Sequence, residues 1–325
     1  MKLRSFLGFS LPSAALMLLL LALPMVMTAW LSTRNCALDM QLVTVVQSGP
    51  FGPSEVTTQR ARLDAAGHPV QVCSFVGADY YRKVLGLDAQ ANAPGSDQNE
   101  FFGALRFTLL YVAATTPFVL AGGLALALAM NRVTQRLKGL FIAASLLPFI
   151  ITPVVGALSI KWMFRDNGLV PHLLSGMGIE LFWMAQAWSA QLLVVLYGVW
   201  HTLPFAFIVL YAGLQGVPQD SLESATLDGA NAWQKLRYVT LPHLAPLVVF
   251  VTLIHLMDAY RVFEPVIVLT QGAFTTSVQV LTYQVLLLED NPYKASAAAV
   301  LTIVGIGVLL IPLLRKTWRE QRRGY

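Results

Sequence analysis

Charged side chains are spread so unevenly along this chain that their spacing nearly decides its fold class. No Asp, Glu, Lys or Arg occurs in residues 5–33, 107–131, 139–160, 181–219, 238–257, 265–288 or 295–314. A helix needs about 20 mostly apolar residues to cross a hydrocarbon core of about 30 Å. Six of these stretches read as spans, at 7–31, 105–130, 139–163, 190–214, 245–268 and 295–314. The 265–288 stretch differs, because Thr270, Gln271, Gly272, Thr275, Thr276, Ser277 and Gln279 make it too polar to face lipid. It reads as the end of the fifth span followed by an outer loop. Composition agrees: 12% of the residues are charged and 56% are apolar. Disorder is excluded, since it requires low hydrophobicity and high net charge. An ordinary soluble enzyme is excluded too, because so few charges cannot cover its surface. The expected fold is an all-α polytopic membrane protein.

Orientation follows from basic residues in the short loops. Lys2, Arg4, Arg132, Arg136, Lys138, Lys235, Arg237, Arg315, Lys316, Arg319, Arg322 and Arg323 share one side if both termini lie inside. Most basic residues of the other side fall in one long segment. The expected topology is N-in and C-in, in a bacterial inner membrane. The first stretch reads as a retained span at 1–31 and not as a signal peptide, because it is long, carries Trp30 at its outer end and lacks a small-x-small cleavage site.

Residues 32–100 form the one sizeable polar segment, placed in the periplasm between spans one and two. Leu42–Val46 and Val70–Val76 are rich in β-branched residues, so a small β-rich module is expected there. Both cysteines, Cys36 and Cys73, fall in it. An oxidising compartment makes a disulfide the natural pairing; two separate buried thiols are the other reading. No metal-ligand spacing occurs. Residues 101–325 make up the transmembrane domain.

Between spans four and five, residues 215–244 read as an inside elbow of two short helices. Asp220 with Glu223 three residues later matches a capping box. Gly229 offers the left-handed conformation that ends a helix. A second helix from Ala232 to about Tyr238 is expected to stop before Pro242. The run Glu223-Ser224-Ala225-x-x-Asp228-Gly229-Ala230, with Pro242 thirteen residues after Gly229, resembles the EAA loop of binding-protein-dependent ABC importer permeases. Leu147-Pro148, Trp162-x-Phe164, Val199-Trp200-x-x-x-Pro204-Phe205 and Leu269-Thr270-x-Gly272 resemble the sugar-importing, maltose permease branch. The resemblance covers about residues 100–315. Ser224, Leu236 and Gly272-Ala273-Phe274 depart from the usual pattern.

The resemblance implies one of two homologous permease subunits, which pairs with two ATPase subunits and a periplasmic solute-binding protein to import a sugar or glycoside. It implies that Glu223, Ser224, Ala225, Asp228, Gly229, Ala230, Leu236 and Pro242 couple the chain to the ATPase. No G-x-x-x-x-G-K-[ST] loop occurs, so ATP and magnesium belong to the partner, and no cofactor, metal or nucleic acid is expected on this chain. It is expected to move its substrate without transforming it.

Asp258, Arg261 and Glu264 fall at i, i+3 and i+6, on one helical face of span five. Charges at membrane depth pair, line a cavity or snorkel. Two readings fit: a polar strip along the translocation path, or a salt-bridge ladder at the interface. The alternative to the importer is an ion-coupled secondary transporter using Asp258 and Glu264. Arg106 and Lys161 read as snorkelling at span ends, and His201 and His255 as packed, hydrogen-bonded core residues.

Overall fold

A computed structural model describes residues 3–49, 52–64, 67–87, 100–178 and 182–323. By packing, the chain divides into two units, residues 1–98 with 285–300, and residues 99–284 with 301–325.

The first unit opens with α1 (Leu3–Leu31). Leu16, Leu18, Leu20, Val26 and Met27 are all more than half exposed on it. Apolar side chains turned outward on every face suit lipid and not water. β1 (Arg34–Leu38) pairs antiparallel with β4 (Gln71–Phe75), and β2 (Met40–Gly49) with β3 (Gly52–Ala61). The register sets Cys36 opposite Cys73, and a disulfide joins them. α2 (Asp79–Val84) follows. The module is tied to the end of α1 by a 2.6 Å hydrogen bond between the Ser32 and Tyr81 hydroxyls, and Arg34 lies over the Trp30 ring.

The second unit is built on α3 (Glu100–Asn131) packed along α7 (Ala187–Gln215). Glycine permits this contact. A Cβ on Gly198 would overlap the Tyr111 hydroxyl, and one on Gly123 would press on Ala206. Phe107, Tyr111, Leu193, Val194, Tyr197 and Tyr260 form the main buried cluster.

The apolar segment expected as one straight helix at 139–163 is bent, which corrects that expectation. α4 (Gln135–Ile150) ends and α5 (Pro153–Phe164) begins after two extended residues, and α6 (Leu169–Ser175) follows. The bend between Gln135–Ile150 and Pro153–Ser175 is 93°. Pro153 causes it: proline lacks the N–H that the Phe149 carbonyl needs, and it drives Thr152 to extended backbone.

The elbow comprises α8 (Gln219–Leu227), α9 (Ala232–Lys235), a π-helical turn over Leu236–Thr240, and α10 (Leu241–Tyr260). Pro242 does not stop the helix. The Leu241 N–H donates to the Leu236 carbonyl, so the register widens just before proline's missing donor, and the helix runs on from Ala232 to Tyr260. Span five therefore starts and ends earlier than the expected 245–268. Beyond it lie α11 (Glu264–Thr270), α12 (Val278–Leu287) and α13 (Pro292–Arg323). Among the described residues, five helices are long and apolar enough to cross a membrane, or six with the bent pair as one span.

Candidate functional site

The elbow takes its shape from backbone hydrogen bonds. At the end of α8 the Ala230 N–H donates to the Ala225 carbonyl at 2.9 Å, and the Gly229 N–H to the Thr226 carbonyl at 3.0 Å. This pair of bonds is a Schellman motif, which requires left-handed backbone at its turning residue. Gly229 supplies it with φ of +79°. α8 begins at Gln219 with Pro218 as its cap and no side-chain cap bond. The capping box expected from Asp220 and Glu223 is therefore not formed, because Asp220 already lies inside the first turn. The box forms one helix later. Asn231 Oδ1 accepts from the Gln234 N–H at 2.9 Å, and Gln234 Oε1 accepts from the Asn231 N–H at 2.8 Å. Lys235 Nζ then reaches back to Thr226 Oγ1 at 2.8 Å, bracing the two helices.

Glu223, Ser224 and Asp228 are exposed, while Ala225, Ala230 and Leu236 are half-buried and Pro242 is exposed. Three large apolar side chains stand out beside them: Leu227 is 90% exposed, Tyr238 70% and Trp233 66%. Sequence reasoning missed these three. Their signal was available, since apolar side chains in a short charged loop have no helix stripe to join. Large apolar side chains exposed together with charge occur where a surface meets another protein or a membrane.

At the far end of α10 the helix stops at Tyr260, with Arg261 as its cap, and α11 starts afresh at Glu264. Asp258, Arg261 and Glu264 therefore do not share one helical face, which corrects that expectation. Pro265 in the first turn of α11 marks the restart. Arg261 meets Asp258 at 3.8 Å, with both side chains more than half exposed. No ion pair joins Glu264 to Arg261 among the described residues, so the minus-plus-minus ladder does not form. Lys161 does more than snorkel: its Nζ donates to the Val268 carbonyl at 2.7 Å and ties α5 to α11.

Two residues of α7 hold the bend between α4 and α5. His201 Nδ1 lies 2.8 Å from the Pro148 carbonyl, and the Tyr197 hydroxyl donates to the Pro153 carbonyl at 2.7 Å. A carbonyl only accepts, so Nδ1 carries the proton. On α10, His255 Nε2 lies 3.1 Å from Thr115 Oγ1, whose single hydrogen is already given to the Tyr111 carbonyl. His255 Nε2 is therefore the donor. Both histidines serve structure. No group of three or more His, Cys, Asp or Glu could hold a metal among the described residues.

Against known proteins, residues 95–322 match the family described as "Binding-protein-dependent transport system inner membrane component". The chain belongs to that family. It is similar to a probable ABC transporter permease protein, y4oQ, of Sinorhizobium fredii, with 27% identity over 96% of this chain and 89% of that one. The trehalose transport system permease protein SugA of Mycobacterium tuberculosis is 37% identical over 63% of this chain and 66% of its own length. The trehalose/maltose transport system permease protein MalF of Thermococcus litoralis is 32% identical over 71% and 75%. In fold it resembles a chain of a bacterial ABC transporter that imports the acidic polysaccharide alginate, with a TM-score of 0.70 and 22% identity over 97% and 96%. This transport component thus carries an exposed elbow, a charged break at the end of α10 and a clasped bend between α4 and α5.

Proposed function

We propose that this chain is the permease subunit of an ATP-driven importer for a sugar or glycoside. The exposed elbow carries the reading: Leu227, Trp233 and Tyr238 stand on a hydrogen-bonded two-helix turn that nothing covers among the described residues. The family membership and the permeases of named sugar systems support it.

In this reading both termini lie in the cytosol and the bent pair counts as one of six spans of the inner membrane. The elbow then faces the cytosol, and the disulfide-bearing module faces the periplasm. A second homologous permease completes the path, and two ATPase subunits dock on the two elbows. They hold the ATP and magnesium that this chain lacks a motif to bind. A periplasmic binding protein delivers the sugar; in support, a similar structure is a bacterial alginate ABC transporter in complex with an alginate pentasaccharide-bound periplasmic protein. Closure of the ATPases draws the elbows together and rocks the spans. Glu223 and Asp228 make charged contacts with the ATPase, Ser224, Ala225 and Ala230 let α8 approach closely, and Leu236 and Pro242 shape the turn into α10. Asp258, Arg261 and Glu264 offer polar groups to sugar hydroxyls at the outer end of the path.

The test is uptake of trehalose or maltose by proteoliposomes containing the complete system, with and without the ATPase subunits. Uptake that needs ATP and the ATPase supports the importer. Uptake driven by an ion gradient without ATPase overturns it.

A further inference from the structure

A cavity of about 460 Å3 opens among α3, α7, α12 and the loop after α11, and neither the elbow nor the Asp258–Arg261 pair lines it. Its size lies within the range of small-molecule sites. Its lining is not what lipid would select. Arg106 and Glu100 come from α3, Gln191 from α7, Thr276 from the loop and Gln284 from α12. Arg106 lies six residues into α3, about 9 Å along it. A charge at that depth lines a cavity or snorkels, and here the cavity is present.

The wall is built with unusual backbone. Gln271, Gly272 and Phe274 all have positive φ, at 56°, 84° and 60°. Two of the three are not glycine, and such conformations persist only where the surroundings hold them. They are held here: Gln191 Nε2 donates to the Phe274 carbonyl at 3.0 Å, and Thr276 Oγ1 to the Gly272 carbonyl at 2.9 Å. The result sets the Phe274 and Phe107 rings beside amide, hydroxyl and guanidinium groups. Gly103 also lines the cavity and leaves room in it, because nothing lies within 4 Å of where its Cβ would be.

We infer that this cavity is an outer carbohydrate-binding pocket, a receiving site for the sugar before it enters the path between the spans. A sugar has hydroxyls that both donate and accept, and C–H faces that pack on aromatic rings. Amides and hydroxyls answer the first, and the exposed Phe274 ring answers the second. A phospholipid headgroup would favour positive charge alone, and this lining holds one acidic and one basic side chain, Glu100 and Arg106. The inference rests on the sugar-importer reading and adds a site to it.

Gly103→Phe tests it by filling the cavity without removing a contact, on a helical backbone that accepts any side chain. Arg106→Gln removes the charged donor, and Arg106→Lys restores part of it. The complete permease–ATPase complex in nanodiscs is probed with trehalose and maltose by saturation-transfer NMR, and uptake is measured after the binding protein is added. Gly103→Phe and Arg106→Gln are expected to weaken sugar binding about tenfold, with uptake at limiting sugar falling in proportion. Complex yield and basal ATP hydrolysis stay at the wild-type level, which a purely structural role would not allow. Unchanged binding and uptake in both variants, while the wild type transports, overturns the pocket alone. A phospholipid that co-purifies with the wild type and is lost from Gly103→Phe, with uptake unchanged, makes it a lipid site and also overturns it. A wild-type system that transports neither sugar overturns the importer reading and the pocket together.

Discussion

His201 donates from Nδ1 to the Pro148 carbonyl at 2.8 Å, in the last turn before the helix breaks. One turn earlier on α7, Tyr197 donates to the Pro153 carbonyl on the other side of the same break. The Pro148 carbonyl lies in the last turn of α4, where carbonyls lack intrahelical donors, and His201 meets that need. Pro153 opens α5, so Tyr197 adds a bond across the break to a carbonyl inside the next helix, and Gly156 leaves room for its hydroxyl.

His201→Phe and Tyr197→Phe keep the rings and delete the donors. His201→Phe is expected to lower stability by about 1–3 kcal/mol, the cost of leaving the Pro148 carbonyl unpaired, and Tyr197→Phe by about 0.5–1.5 kcal/mol, the net worth of one hydrogen bond. Thermal unfolding of the assembled complex is the measurement. If both residues hold one break, the double variant departs from the sum of the singles by about 0.5 kcal/mol or more. Strict additivity would show that they act on separate features.

Asn231→Ala should cost about 1 kcal/mol, the usual loss for a capping side chain, and Asn231→Asp should recover most of it. α9 has only four residues, so the loss falls on the shape of the elbow. The expected readout is less ATPase subunit retained per permease after affinity purification, restored by the aspartate. Equal retention by the alanine variant would remove the capping box from the docking surface.

Residue chemistry revealed the spans because hydrocarbon penalises every charge, so the gaps show where lipid begins. Hydropathy says nothing of direction, and it runs unbroken through Ile150, Ile151, Val154 and Val155, hiding the bend; only Pro153 marks it. The elbow shows the same division. Gly229 is legible because only glycine adopts that φ cheaply. The Asp220 and Glu223 pattern misled, because a capping motif is defined by where the helix starts, and with Pro218 as its cap α8 starts at Gln219, one residue before Asp220. The charged triplet at 258–264 was read as one face because Pro265 was not used as a restart signal.

Cys36→Ser opens a link between residues 37 apart in sequence. The chain-entropy estimate for that separation is about 3–4 kcal/mol, a large share of what two short hairpins can hold. Limited proteolysis should cut the variant between residues 32 and 87 at protease levels that spare the wild type, leaving the spans intact. Reductant should reproduce the effect in the wild type. A variant as resistant as the wild type would show that the strands hold without the disulfide.

Arg261→Ala removes a pair whose side chains are both mainly exposed. Exposed pairs contribute about 0–1 kcal/mol, so melting of the complex should barely move. Transport per assembled complex should fall if Arg261 meets sugar at the end of the path. A large stability loss with transport per complex unchanged would return this residue to an interfacial structural role.

Gly229 gives the sharpest test of the elbow, because the two costs of changing it separate. Its Cβ position has no atom within 4 Å, so Gly229→Ala meets no clash and bears only the left-handed backbone cost of about 1–2 kcal/mol. Gly229→Pro also removes the N–H that donates to Thr226 at 3.0 Å and forbids a φ of +79°. The Schellman turn cannot form, and the angle between α8 and α9 is lost with it. None of the spans uses this turn, so both variants should insert at normal levels. The alanine protein is expected to bind the ATPase somewhat more weakly and still transport. The proline protein should reach the membrane yet fail to retain the ATPase, or retain it while ATP hydrolysis runs without sugar uptake. Cross-linking from Ser224→Cys to a cysteine on the ATPase surface reports contact directly, and it should be lost with the proline. Full cross-linking and full uptake by the Gly229→Pro protein would mean that the ATPase docks elsewhere.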